Sequence, residues 1–537
     1  MERSHKQSLL FEVTFGLLIT KMEVWIFVFI SISVATLLIS LSHVVFPNPR
    51  LPPGPIRVPL IGNFIWFGIS FSDVESTLRN VHDKYGPIIA HQFGSRLAVF
   101  ISTNSLAHQA LIQNGAIFSD RPHSQPTYAV ISRNAHNVSC AHYGPTWRLL
   151  RRNLTLEILH PSRIRLYSHA RKWALEILKS RLQCHSESVP VMDHFLYTMF
   201  CLLVFMCFGC KLDEGHIQEI GSVVHRLTAS FISFQPLNFW PMVGKILFRK
   251  RWREFLQICK DEEEVLIPLI RGRQRLNHDM QRKQKQDSND LSSSSKDYFI
   301  SYVDTLLDLQ LPDEKRKLNE GEIVSLCSEF LGAGTDTTST ALQWIMANLV
   351  QYPHIQVKLF EEIMGVVGVG EKEVKEEDLQ KMPYLKAVIL EGLRRHPPGH
   401  FVSPHSVTQD VVLDGYIIPK NTIVNFMVAE IGRNPNVWED PMEFKPERFL
   451  NKNGDGDGGE VFDITGSSEI KMMPFGAGRR MCPGYGLAML HLEYFVANLV
   501  WSFEWKAVEG DEVNLSEKQQ LSTVMKNPLK ARLSPRD

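Results

Sequence analysis

The sequence has no excess of either charge, because Lys plus Arg and Asp plus Glu number 58 each in 537 residues. It also has no strong basic run with interleaved aromatic residues, so we predict no nucleic-acid partner. Cysteine is scarce, with eight residues at irregular spacings. A secreted disulfide framework would be denser and would stand in a smaller chain, so we expect the folded part to face a reducing compartment.

Internal repeats are also absent, and no segment resembles a flavin- or nicotinamide-binding motif convincingly. A composition that is 44% hydrophobic and 22% charged is typical of a large globular enzyme. Strand-like runs such as Leu97–Ser102 come early, and long amphipathic helical segments dominate from about residue 145 to about residue 400. The polar run Gln281–Lys296 predicts a solvated surface loop. We therefore predict a mainly α fold with small β-sheets.

One apolar stretch, Val24–Phe46, contains no Asp, Glu, Lys or Arg. A membrane-spanning helix needs about 20 apolar residues, and a cleaved signal peptide usually has a shorter apolar core of about 7–15. The stretch therefore predicts an anchor rather than a signal peptide. A start at Met22 would leave cations only after this stretch, which favours a cytoplasmic body, so we hypothesise that the first 21 residues are an upstream extension.

These observations predict four segments along the chain. They are an upstream extension (1–21), a transmembrane anchor helix (22–46), a stiff proline-rich hinge (47–59) and a single large catalytic body (60–537).

The strongest motif is the run Phe475–Gly484, which reads FGAGRRMCPG. A thiolate metal ligand needs a cysteine on a tight loop whose backbone N–H groups face the sulfur, and Cys482 stands in such a run. Gly478 permits the turn, and Gly484 allows the following helix to approach a flat cofactor closely. Phe475 can shield the sulfur from water.

This run resembles the haem signature of the cytochromes P-450, F-x-x-G-x-R-x-C-x-G, with every specified position filled. The resemblance implies that Cys482 is the thiolate ligand of a haem b iron and that Arg480 reaches a haem propionate. A dinucleotide fingerprint beginning at Gly476 is the alternative, but Met481 stands where its third glycine should be.

A second motif lies within Glu329–Val350, a segment that predicts one helix. Its run AGTDTT is a poor helix interior, because Gly and β-branched residues are disfavoured there, and such inconsistency often marks a functional site. The run resembles the oxygen-activation motif of the same family, A/G-G-x-D/E-T-T. The resemblance implies that Asp336 and Thr337 relay protons to O2 beside a helix opened at Gly334. A kinked core helix whose hydroxyls bond back to carbonyls is the structural alternative.

An acidic and a basic residue three positions apart, Glu391 and Arg394, resemble the family's E-x-x-R pair. The family completes this pair with an arginine from a Pro-Glu-Arg-Phe segment, which places Arg448 in the network here. We expect a buried ion-pair network that supports the fold near the haem rather than the chemistry.

Two residues on one helical face, Trp147 and Arg151, resemble the family's propionate-binding W-x-x-x-R pair. His405 stands where related plant enzymes direct an arginine or histidine to the same cofactor edge. By the same analogy, the loop His123–Cys140 borders the substrate. The candidate substrate-pocket residues are Phe330, Ala333, Gly334, Phe401 and Val402.

The resemblance runs from about Met22 to the carboxyl terminus and is narrower than the superfamily. Runs such as LEGLRRHPPGHF, from Leu390 to Phe401, resemble the plant 89A subfamily. The family implies a single-pass endoplasmic-reticulum enzyme whose catalytic body faces the cytoplasm. It would use O2 and NADPH-derived electrons from a separate NADPH–cytochrome P-450 reductase to insert one oxygen atom into a small apolar plant metabolite. Arg148, Arg152 and Arg479 are candidates for docking that reductase, with ordinary solvated arginines as the alternative.

Two other functions compete with a monooxygenase. A haem-thiolate isomerase or dehydratase rearranges a peroxide without O2 or a reductase, and a haem-binding protein performs no chemistry. Neither needs an acid–alcohol pair, so Asp336 and Thr337 favour the monooxygenase. Plant specialised metabolites, fatty acids and linear tetrapyrroles are all compatible substrates, the last on the subfamily resemblance alone.

Overall fold

The structure is a computed structural model. Apart from a few residues between Val24 and Leu38, it describes residues 50–55, 73–93, 96–184, 188–239, 244–286, 299–368, 370–450 and 462–536.

Helices make up most of the described chain, which confirms the predicted mainly α fold. The longer α-helices are Val74–Tyr85, Pro145–Asn153, Ser168–Gln183, Val191–Phe208, Glu214–Ser233, Arg249–Gln286, Glu320–Gln351, Pro353–Val367, Pro383–Arg395 and Tyr485–Ser502. The shorter α-helices are Asn104–His108, Pro126–Ile131, Pro161–Leu166, Pro236–Phe239, Gly244–Leu247, Tyr302–Leu306 and Val428–Gly432.

The helix Glu320–Gln351, called the central helix below, organises the core. Asn319 caps its first turn in a reciprocal arrangement with Glu322, which fixes where the helix starts. All residues from Thr338 to Val350 are buried. The central helix packs against Val191–Phe208, which is apolar on every side and is therefore a core helix.

The β structure is small and lies beside the helices. A four-stranded sheet has the order Ile88–Phe93, Arg96–Ile101, Ile423–Phe426 and His405–Ser406, with only the middle pair parallel. A three-stranded sheet joins Phe503–Ala507, Lys530–Pro535 and Val189–Pro190, all antiparallel. Three two-stranded ribbons pair Gln310–Leu311 with Arg316–Lys317, Val411–Leu413 with Tyr416–Ile418, and Glu517–Gln519 with Thr523–Met525.

The prediction of a surface loop over Gln281–Lys296 is wrong for its first residues. The helix Arg249–Gln286 continues through them, because Gln, Arg and Lys are good helix formers and no Gly or Pro interrupts the run. The remainder of the run, 287–296, lies outside the described residues.

The predicted anchor, 22–46, lies mostly outside the described residues. Those that are described within it are helical, and they include Val24 and Leu38, whose side chains are exposed. Elsewhere in the described chain, one helix has the length and apolar composition of a membrane span, Val191–Phe208, and it is mostly buried inside the protein.

The described part of the hinge, residues 50–55, lies on the body. The carbonyl of Pro53 accepts from the Ala90 N–H at 2.8 Å, and the carbonyl of Arg50 accepts from the Ile417 N–H at 2.6 Å. A side chain at Gly54 would overlap the Ala90 carbonyl. This stretch is therefore bonded to two β elements rather than standing free as a spacer.

Candidate active site

The cysteine loop, Phe475–Gly484, folds back on itself. The Cys482 N–H donates to the Phe475 carbonyl at 2.8 Å and so closes the loop. Gly478 has φ +70°, and a Cβ there would overlap the Leu111 carbonyl, so both conformation and space require glycine. The 18-residue helix Tyr485–Ser502 begins directly after Gly484. The loop therefore presents Cys482 at a helix amino terminus, where a negative sulfur is favoured.

Burial raises the pKa of the Cys482 thiol, while the Gly484 N–H and the Arg151 guanidinium oppose that shift. A metal ion is the usual means of holding a buried thiolate, because coordination removes the proton. The Phe475 ring lies beside the Tyr485 ring, with 6.3 Å between centroids. The sulfur is thus placed as a metal ligand in a largely apolar setting.

Three guanidinium groups gather beside the cysteine loop and bond to neutral carbonyls. Arg480 donates to the carbonyls of Ser119 at 2.7 Å, Ala141 at 2.6 Å and Val138 at 3.3 Å. Arg151 donates to the Met481 carbonyl at 2.5 Å. Arg121 donates to the carbonyls of Ser139, Ser403 and Pro404 at 2.7–2.9 Å. Within the described residues, none of the three forms a salt bridge with a carboxylate.

Burial and the mutual repulsion of the arginines lower the pKa values of two guanidinium groups in this cluster. Burial, then the charges of Arg121 and Arg151, lowers the pKa of Arg480 to about 9. Burial and the nearby Arg151 lower the pKa of Arg121 to about 10, although neighbouring acidic groups oppose the shift. A cluster of this kind is arranged to receive an anion with more than one negative charge.

Two more residues complete the cluster. The Trp147 indole N–H is buried without a hydrogen-bond partner, and the Arg480 guanidinium lies 4.3 Å from the Trp147 ring centroid. His405 Nδ1 lies 2.6 Å from the Phe118 carbonyl, so that nitrogen carries the hydrogen. Burial and then Arg121 lower the pKa of His405 to about 3, so its ring is neutral at pH 7.

These features fit a haem. Its two propionates would supply the negative charge that Arg121, Arg151 and Arg480 lack, and Trp147 offers an unused donor to one of them. Cys482, on the adjoining loop, offers the sulfur ligand that a haem-thiolate site requires.

One turn in the middle of the central helix is exposed. Ala333 and Thr337, one turn apart, are exposed, although the helix beyond them is buried. The helix is unbroken through Gly334, and the Thr337 hydroxyl donates to the Ala333 carbonyl at 2.6 Å. Burial raises the pKa of Asp336, with His225 opposing. Asp336 therefore holds a proton more readily than an exposed aspartate does.

The predicted pocket residues fall into different places. Ala333 lies on the exposed turn just described, and the Val402 side chain lies against Gly476 of the cysteine loop. Phe330 packs against Tyr302 with 5.2 Å between ring centroids, and a Cβ at Gly334 would lie 2.7 Å from Leu203. Both contacts are helix packing, and a pocket role for these two half-buried residues stays a prediction.

Phe401, the remaining pocket candidate, lies at the edge of the four-stranded sheet. It forms an isolated bridge with Met427 and packs in a small cluster with Leu78 and Ile89. Its ring is half-buried.

The structure joins the three predicted ion-pair residues in a buried network. Arg394 donates to both Glu391 oxygens at 2.6 and 2.8 Å, and Arg448 donates to one of them at 3.1 Å. The Lys445 backbone N–H is the third group that donates to Glu391, at 2.9 Å. Glu391 and Arg394 are almost fully buried. A buried carboxylate this well satisfied stabilises the fold, because breaking the network would leave an uncompensated charge.

No sequence motif pointed to Arg121. The residue belongs to no spacing pattern, and it joins the cluster only because the turn after Phe118 packs against Ser403 and Pro404. Its local signal was only a charged residue before a proline, which on most surfaces is an ordinary solvated group.

The chain belongs to the cytochrome P-450 family, whose model matches residues 52–535. It is a haem-dependent monooxygenase, as the family resemblance predicted. It is 50% identical over 534 residues to cytochrome P-450 89A9 of Arabidopsis thaliana, covering 96% of this chain and all of that protein. Costunolide synthase of Cichorium intybus is 30% identical, covering 93% of this chain and 97% of that protein.

Solved structures confirm the fold. A zebra fish cytochrome P-450 with progesterone superposes with a TM-score of 0.67 over 87% of this chain and all of that one, at 22% identity.

Replacing Trp147 with Phe should weaken haem binding more than it weakens the fold. The lost indole N–H has no partner in the protein, and a hydrogen bond to a charged group is worth about 1.5–3 kcal/mol, or roughly 10- to 150-fold in affinity. The haem dissociation rate and the apoprotein unfolding free energy measure the two effects.

Trp438→Phe is the matched control. Trp438 has the same 6% exposure and also stacks on an arginine, Arg394, but its indole N–H already donates to the Lys471 carbonyl. Trp438→Phe should lower the unfolding free energy and leave haem dissociation unchanged. Equal haem dissociation rates for the two variants would contradict the assignment.

Proposed function

We propose that the protein inserts one atom of O2 into a small apolar plant metabolite, with two NADPH-derived electrons from a separate NADPH–cytochrome P-450 reductase. The overall reaction consumes O2, two electrons and two protons, and it yields hydroxylated product and water. Two observations support the proposal: the closed loop that presents Cys482, and the open, polar turn Ala333–Thr337 of the central helix.

The bound haem would supply the redox chemistry that activates O2. Cys482 would hold the iron, while Trp147, Arg151 and Arg480 would hold the propionate edge. His405 would join them through Nε2 only in its protonated form, because its Nδ1–H donates to the Phe118 carbonyl. Asp336 takes up a proton from the half-buried side of the central helix, since burial raises its pKa. The Thr337 hydroxyl, which now donates to Ala333, can turn and pass a proton into the open space.

A haem-thiolate isomerase is the second candidate, since it would use the same cysteine loop. It would not need a carboxyl group of raised pKa next to an exposed hydroxyl. The juxtaposition of Asp336 and Thr337 on the open turn therefore favours the monooxygenase.

The first test is spectroscopic. Purified protein should bind haem, and its reduced carbon monoxide complex should show the thiolate-type absorption, which Cys482→Ala should abolish. NADPH- and reductase-dependent O2 consumption would then separate a monooxygenase from an isomerase or a haem-binding protein. Difference spectra against plant metabolites would identify the substrate. Haem held by a nitrogen ligand would refute the proposal.

Thr337→Val should retain haem but lose coupling. The isosteric side chain cannot carry a proton, and positioned acid–base groups contribute typically about 10² or more in rate. Hydrogen peroxide released per NADPH oxidised should rise, and product should fall by about tenfold or more.

Thr340→Val is the matched control, because the Thr340 hydroxyl is buried without a partner on the same helix. It should couple NADPH oxidation to product as the native enzyme does. Normal coupling in Thr337→Val would remove Thr337 from the proton pathway.

We further propose that the reductase docks beside the cysteine loop. Arg148, Arg152 and Arg479 are all exposed, and the guanidinium groups of Arg148 and Arg479 lie 5.0 and 5.5 Å from the Tyr143 ring centroid. The same short helix that carries Arg148 and Arg152 holds Trp147 and Arg151 at the haem site. A partner with an acidic surface would thus sit close to the thiolate side.

Reversing two charges, Arg148→Glu with Arg152→Glu, should slow reductase-driven turnover about tenfold at low salt and flatten its salt dependence. Arg275→Glu with Arg282→Glu, two exposed arginines of the helix Arg249–Gln286, is the control and should change neither. Docking elsewhere would make the two double variants indistinguishable.

We propose that the enzyme is held by a single anchor helix at the endoplasmic-reticulum membrane, with its body in the cytoplasm. The exposed, helical residues between Val24 and Leu38 support the anchor. Ile246 and Leu247 are 78% and 68% exposed beside Lys245 and Arg249, a combination that suits an anionic lipid surface.

A further inference from the structure

The segment Arg133–Ala141 holds a strained turn against the central helix. Three successive residues, Arg133, Asn134 and Ala135, have φ of 49°, 59° and 66°, which is the left-handed region that non-glycine residues rarely adopt. Such a run persists only where its surroundings enforce it.

Polar groups on one face of the central helix hold this turn in place. Glu322, Ser325 and Glu329 are spaced by three and four residues, so they line one stripe. The Ser325 hydroxyl donates to the Ile131 carbonyl at 2.8 Å, just before the turn. A Glu322 oxygen lies 3.5 Å from His136 Nδ1, just after it.

Glu329 makes the most direct of these contacts. One oxygen accepts from the Val138 N–H at 2.9 Å and the other from the Ser139 N–H at 2.7 Å. Unlike Glu322, which pairs with Arg316, Glu329 has no salt bridge to any described residue. Burial raises the pKa of Glu329, and the two loop amides and Arg121 oppose that shift.

The same two residues contact the guanidinium groups of Arg480 and Arg121 through their carbonyls. Val138 donates to Glu329 and accepts from Arg480, and Ser139 donates to Glu329 and accepts from Arg121. Each residue therefore lies between a carboxylate and a guanidinium. Hydrogen bonds in such a chain polarise and strengthen one another.

We propose that Glu329 is a positioning residue that orders the loop Arg133–Ala141. Through this loop it holds Arg480 and Arg121 at the propionate site and shapes the wall that borders the substrate. This role rests on the proposed monooxygenase function and deepens it. Glu329 lies one turn before Ala333 and two before Thr337, so the helix that handles oxygen also fixes the substrate wall.

Glu329→Gln tests the proposal, because a carboxamide of the same shape offers one acceptor oxygen to two N–H donors. Amide hydrogen exchange at Val138 and Ser139 should accelerate about tenfold or more. The holoenzyme should bind 4-phenylimidazole, which ligates the iron and fills the pocket, about tenfold more weakly. Its affinity for imidazole, which is too small to reach the loop, and its thiolate-type absorption should be unchanged.

Glu320→Gln is the matched control, since Glu320 is in the same helix but is solvent-exposed and paired with Arg271. Exchange rates and phenylimidazole affinity in Glu329→Gln that equal those of this control would overturn the proposal. Glu329→Asp keeps the charge on a shorter arm and should fall between native and Gln in both measurements. If Glu329→Gln yields no holoprotein, an Asp variant identical to the native enzyme overturns the proposal.

Failure of the proposed function would look different. Native protein without a thiolate-ligated haem would refute the monooxygenase, whereas the exchange comparison at Val138 and Ser139 can be made on the apoprotein. The loop's dependence on Glu329 is thus measured separately from the reaction.

Discussion

The site depends on three buried guanidinium groups that have only neutral carbonyls as partners. Burial lowers the pKa values of Arg121, Arg151 and Arg480, and repulsion from neighbouring arginines lowers those of Arg121 and Arg480 further. Separate parts of the chain hold them there, including the turn at Ser119 and the peptide after Met481. A dianionic cofactor edge relieves this repulsion, so cofactor binding and the order of these segments are coupled.

The central helix combines three physical tasks along its length. Its amino-terminal turns carry polar side chains that hydrogen-bond to the loop Arg133–Ala141. Its middle turn exposes Ala333 and Thr337. Its remaining turns, from Thr338 onward, are wholly buried core. The central helix packs against Val191–Phe208, with Gly334 beside Leu203, and because a helix is stiff this packing helps fix all three parts.

Charged groups in this protein divide according to whether their partners are supplied by the chain. Glu391 is saturated by Arg394, Arg448 and a backbone amide, so it serves the fold and has nothing left to offer a ligand. The propionate cluster has donors in excess, as the unpartnered indole of Trp147 shows. The arginines of this cluster have neutral carbonyls and no carboxylate as partners, so their charge is available to an anionic ligand.

The sequence by itself determined the family, the mainly α fold and the cysteine loop, because Phe475–Gly484 acts through local backbone geometry that neighbouring residues encode. Only the tertiary structure brought Arg121 to the propionate site and Glu329 to the loop, since their partners are distant in the chain. It also placed the Phe330 ring against Tyr302 and the Gly334 backbone close to Leu203. Periodicity identifies a helix, but the direction each side chain faces depends on which neighbours pack around it.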